Sequence, residues 1–117
     1  MRMFWFLTAL IAALIVSISV YGYDKAKVDS YIREAEYYTK QAESFEREAV
    51  YYMKQAQRHM KGAEYYSKEG KDSKAKTYMR WAKEASDKAS IRMKKAKESR
   101  QKAQLRMKWA KDEMRKK

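Results

Sequence analysis

The chain has 117 residues, 45% hydrophobic and 37% charged, with 28 Lys and Arg against 15 Asp and Glu, no Pro, no Cys and 3 Gly. Without cysteine there are no disulfides or thiolate metal sites, and so few turn-forming residues argue for a few long helices over a many-turned globule. With His59 the single histidine and no Gly-rich phosphate loop, the sequence offers no metal spacing and no nucleophile–base pair, so a non-enzyme without cofactor is expected.

The first predicted element, 1–23, is a membrane anchor. "MFWFLTALIAALIVSISVYG" at 3–22 carries no charge and as a helix would be about 30 Å long, the thickness of a hydrocarbon core. Phe4, Trp5 and Phe6 at one end and Tyr21 and Tyr23 at the other resemble interfacial belts. The competing reading is a cleaved signal peptide, with Arg2 ahead of it and Ser17 and Ser19 at the −3 and −1 positions. The length of the apolar run favours a retained, single-pass anchor. Lys25, Lys27 and Arg33 outnumber Arg2 beside it, which favours a cytoplasmic C-terminal part. Small signal-anchors with one leading basic residue also export the chain behind them, so both orientations stay open.

The second element is a helix over 24–69, the third a turn at 70–73, and the fourth a helix over 74–117. Gly70 suits the left-handed position after a helix end, and Asp72 or Ser73 suits the next N-cap. Ala35, Ala42, Ala49, Ala56 and Ala63 recur every seven residues in the first helix, and Ala75, Ala82, Ala89, Ala96, Ala103 and Ala110 in the second. Four residues after each alanine stand side chains such as Met53, Met60, Met79, Met93 and Met107. This 3-4 stripe is the seam of a left-handed coiled coil. Pairing residues whose numbers add to 142 sets one alanine opposite a usually larger partner in each layer, for example Ala49 with Met93, Ala35 with Met107 and Ile32 with Ala110. Small against large is what a tight antiparallel seam needs. Glu46 and Arg100 fall in adjacent layers, where a pair would fix register more than add stability. The expected fold is all-α: a transmembrane helix, then an antiparallel two-helix coiled-coil hairpin belonging to a larger bundle or complex.

A second column repeats beside the seam. Tyr31, Tyr38, Phe45, Tyr52, His59 and Tyr66 also recur every seven residues, while the equivalent positions of the second helix, Tyr78, Ala85, Arg92, Ser99, Arg106 and Glu113, turn polar. An aromatic strip left partly uncovered by its own hairpin would pack on another copy or on another helical subunit. Tyr31, Tyr38, Phe45, Tyr52 and Tyr66 are its candidate residues.

Charge divides the chain. Positions 24–69 hold nine basic and nine acidic residues, whereas 71–117 hold eighteen basic and six acidic. The second helix is therefore expected to face something anionic: lipid headgroups, an acidic protein or an envelope polymer, with Lys94, Lys95, Lys97 and Lys102 as candidate contacts. A membrane-tethered nucleic-acid module stacking bases on the tyrosines fits less well, because the rings lie on the neutral helix. A signal-like segment before a short coiled coil looks like phage inner-membrane spanins, which implies an envelope-spanning role in lysis. The alanine heptads and terminal "DEMRKK" are similar to murein lipoproteins, which implies attachment to peptidoglycan, although this chain lacks their lipid-bearing cysteine and folds back.

Overall fold

The computed structural model describes residues 23–116. The expected span at 3–22 and the alternative cleavage site after Ser19 lie outside the described residues. Two long helices, α1 (Lys25–Lys68) and α2 (Asp72–Arg115), form a hairpin. Neither is long and apolar enough to cross a membrane.

Local chemistry sets the helix ends. Asp24 caps α1: its carboxylate accepts from the Lys27 amide at 3.2 Å, and its carbonyl accepts from the Val28 amide at 3.1 Å. That satisfies one of the amides an uncapped first turn leaves without a partner. At the other end Gly70 takes φ +73°, a left-handed conformation that costs glycine little. The Lys71 amide donates to the Tyr66 carbonyl at 2.9 Å and the Gly70 amide to Ser67 at 3.1 Å, the paired bonds of a Schellman motif. The next helix begins at Asp72, two residues before the expected start at 74. Lys71 supplies the first accepting carbonyl, to the Ala75 amide at 3.0 Å. Asp72 is then the first helical residue, where its charge complements the positive end of the helix dipole.

Packing divides into two compact units. The turn unit is Ser44–Ala96; the terminal unit holds the described residues 23–43 and 97–116. In the terminal unit Val28, Ile32, Ala35, Met107 and Ala110 form one buried cluster, with Tyr23, Tyr31 and Met114 packed on it. Ala42 and Ala103 are fully buried as well. Thr39, also buried, satisfies its hydroxyl by donating to the Ala35 carbonyl at 2.8 Å. In the turn unit the alanines again form the floor: Ala49, Ala63, Ala75, Ala82, Ala85, Ala89 and Ala96 are buried and Ala56 is half-buried.

The register is the one the alanines imply. In the terminal unit Gln41–Ser99, Glu34–Arg106 and Tyr31–Trp109, and in the turn unit Glu48–Arg92 and His59–Trp81, have numbers adding to 140. Tyr38–Arg106, Tyr52–Arg92 and Tyr66–Tyr78 add to 144. These flanking contacts bracket 142. The methionine side of the seam is a different matter. Met107 is buried in the terminal unit, but Met53, Met60, Met79 and Met93 stand about half exposed in the turn unit. There the helices close on their aromatic edge instead. The small Ala85 and the bare backbone at Gly62, against which the Tyr78 ring lies, let that edge approach closely.

Candidate interaction surfaces

The aromatic column of α1 is not left open. Tyr31, Tyr38, Phe45, Tyr52, His59 and Tyr66 are all half-buried, and α2 covers them with a column of its own. Lys74, Trp81, Lys88, Lys95, Lys102 and Trp109 recur every seven residues, each directly before a seam alanine. In the turn unit the Lys74 ammonium lies 5.3 Å from the Tyr66 ring centre, Lys88 5.6 Å from Tyr52 and Lys95 5.8 Å from Phe45. His59 sits against Tyr78 and Trp81, with ring centres 6.1 and 5.6 Å away. In the terminal unit Lys102 and Arg106 lie 5.5 and 5.4 Å from the Tyr38 ring, and Trp109 meets Tyr31 edge-on at 5.6 Å.

This covering answers the mismatch seen in the sequence. A ring face carries partial negative charge, so a lysine whose stem packs on the apolar edge and whose ammonium rests over the face is a suitable lid. Each such contact contributes about 0.5–1 kcal/mol at exposed sites. The polar equivalents on α2 take part too. Arg106 pairs with Glu34 at 2.8 Å while its guanidinium lies 4.3 Å from the Trp109 ring centre. Arg92 pairs with Glu48 at 2.7 Å beside Tyr52. Ser99 donates to Gln41 at 3.2 Å, and the buried Glu113 faces Lys27 at 3.7 Å and Lys116 at 3.1 Å. The five rings expected to await a partner therefore already have one within the chain. The outward aromatics of α1 are Tyr37, Tyr51 and Tyr65, which are exposed and lie edge-on to Tyr38, Tyr52 and Tyr66.

The four lysines expected to meet an anionic partner separate into two kinds. Lys95 and Lys102 are placed over Phe45 and Tyr38, whereas Lys94 and Lys97 point to solvent. Glu46, in the turn unit, and Arg100, in the terminal unit, are each half-buried. Tyr78 has its ionisation pushed above the ordinary 10.0, first by the charge of the neighbouring Tyr66 phenol, then by hydrogen bonding to it and by burial. Among the described residues no group of three or more His, Asp or Glu could hold a metal ion.

The methionine edge of the turn unit is the other surface of note. It holds an open groove of about 550 Å³, floored by Ala56 and Ala82 and walled by Met60 and Met79. Its sequence signal was the methionine column itself, which reads equally well as a closed seam. No protein-family model, curated protein or solved structure matches this chain.

Proposed function

We propose that the chain is a non-enzymatic, membrane-anchored helical-hairpin scaffold whose α2 contacts an anionic surface, either lipid headgroups or an acidic subunit of the same assembly. One observation carries this. After Lys88, Lys95 and Lys102 have been placed over aromatic rings, α2 still turns Lys76, Lys83, Lys94, Lys97, Lys108 and Lys111 outward. These lysines outnumber the exposed Glu84, Asp87, Glu98 and Asp112, and such a net positive field attracts oppositely charged partners over about a Debye length, 8–10 Å at ordinary salt. The uncharged segment at 3–22 would hold that face near a bilayer.

The test separates the two kinds of lysine. Lys94→Glu with Lys97→Glu should weaken binding to a polyglutamate matrix and to anionic vesicles while leaving helicity intact, and added salt should weaken the wild type in parallel. Lys95→Glu with Lys102→Glu should in addition lower the melting temperature, because it uncovers Phe45 and Tyr38. Binding that is insensitive to both pairs and to salt would remove the anionic-surface reading. Recovery of the full chain, with Met1 or Arg2 at its start, from carbonate-washed membranes tests the anchor. A mature start at Val20 or Tyr23 would replace it with a signal peptide.

A further inference from the structure

The turn unit closes along its aromatic edge and stays open along its methionine edge. Met53, Met60, Met79 and Met93 are between 44% and 54% exposed, although they occupy the positions that a closed coiled coil would bury. Between the walls the floor is alanine, Ala56 and Ala82. A floor of small side chains flanked by long, unbranched, polarizable ones is what lets another helix lie close and be gripped by walls that adapt to it. The groove therefore fits a third helix laid along the hairpin.

Charge selects which helix. The lining contains Lys61 and Lys83 with one carboxylate, Glu64. Above it, α1 carries Arg47, Lys54, Lys61 and Lys68 at every seventh position, and α2 adds Lys76 and Lys83. Both walls are thus basic at the rim and apolar below. A second copy would bring the same basic rims against these, so self-docking is opposed. We infer that the methionine groove of the turn unit is a docking site for an acidic amphipathic helix of another protein, apolar on the face it inserts and rich in Glu and Asp on its flanks. Insertion buries the four methionines, and the flanking carboxylates meet Lys61 and Lys83. This is a helix-in-groove mode in which the apolar anchors set affinity and the rim charges set selectivity. Lys94 and Lys97 are not among the residues lining the groove, so reversing their charge tests the anionic-surface reading of the proposed function without altering the lining.

The probe is a fluorescent model helix of about 20 residues, roughly 30 Å long, with Leu at helical spacing on one face and Glu on the flanks. A control peptide carries Lys at every Glu. With the full chain in nonionic detergent, fluorescence anisotropy should show saturable binding of the Glu peptide, at least about tenfold tighter than the Lys peptide. Met60→Ser with Met79→Ser should weaken binding by about tenfold or more. Lys61→Glu with Lys83→Glu should narrow or invert the preference between peptides, and Lys94→Glu with Lys97→Glu should leave it unchanged. Circular dichroism of each variant confirms that the hairpin is kept; these side chains are already exposed. Equal binding of both peptides, no saturable binding of either, or indifference to the methionine pair would overturn the inference. So would sedimentation showing a dimer that the methionine pair dissolves, which would give the groove to a second copy. Vesicle binding that the same pair abolishes, without any peptide binding, would give it to lipid.

Discussion

Replacing Gly62 with alanine sets two effects of similar size against each other, and the structure says which wins. In the middle of a helix the change from Gly to Ala should stabilise by about 1 kcal/mol, because glycine gives up more backbone freedom on folding. At this position, however, a Cβ would lie 2.6 Å from Cδ1 and 2.9 Å from Cε1 of Tyr78, with Cγ at 3.3 Å. Those are atoms of a ring near its root, so they cannot swing away as the end of a lysine can. The ring is also held by its neighbours, Trp81 at 5.0 Å and Tyr66 at 5.2 Å between ring centres. Overpacking of this kind costs about 1–3 kcal/mol. The expected net result is a loss of up to about 2 kcal/mol in the wild-type background. In a Tyr78→Ala background the obstacle is gone, and the same substitution should stabilise by about 1 kcal/mol. Urea denaturation followed by far-ultraviolet circular dichroism, run on all four chains of the cycle, measures the coupling. If Gly62→Ala stabilises equally in both backgrounds, the ring does not lie on the glycine, and the account of how the aromatic edge closes fails with it.

Three further outcomes are expected. Cysteines at Gln41 and Ser99, whose side chains touch at 3.2 Å, should crosslink within one chain, while Gln41 and Arg106, one heptad out of register, should not; mass spectrometry of the oxidised protein reads the difference. Arg106→Ala should cost about 1–2 kcal/mol, combining an exposed ion pair with two cation–π contacts, and Arg106→Lys should recover only part of this in a thermal melt because lysine lacks the planar fork. Tyr78 ionises above its ordinary 10.0 when folded, so its contribution is intact below pH 10 and declines as pH rises past 10 through the folded value; Tyr78→Phe should flatten the alkaline fall in melting temperature, and an unchanged fall would assign it to other groups.

The hairpin and its register were legible because period seven is a global signal. Eleven alanines agree on one phase, and Gly70 supplies the turn. Local ends were less legible: Asp72 has the chemistry of a cap, yet the carbonyl of Lys71 begins the helix, since backbone geometry after a Schellman turn decides the matter. The aromatic edge was hard to read for a physical reason. Tyr38 and Phe45 lack an apolar column opposite them, and their covers are Lys102 and Lys95; a cation over a ring leaves no hydrophobic trace in sequence. The signal was nonetheless present in the Lys or Trp that precedes each seam alanine of α2. The groove was hidden for the complementary reason: a methionine at a seam position reads the same whether the helices close over it, as at Met107, or part, as at Met60 and Met79.

The lid of cations also bears on how this sequence can drift over generations. At Lys88, Lys95 and Lys102 an exchange for arginine keeps a cation on the ring, so such exchanges should accumulate freely among descendants, whereas acidic replacements should be purged even if no outside partner remains. At Lys94 and Lys97 selection acts only through whatever the exposed face meets, and once that partner is lost these sites should vary in sign. Two lineages that parted long ago would thus betray, in which lysines they had kept, whether the molecule was still in use or merely still folded.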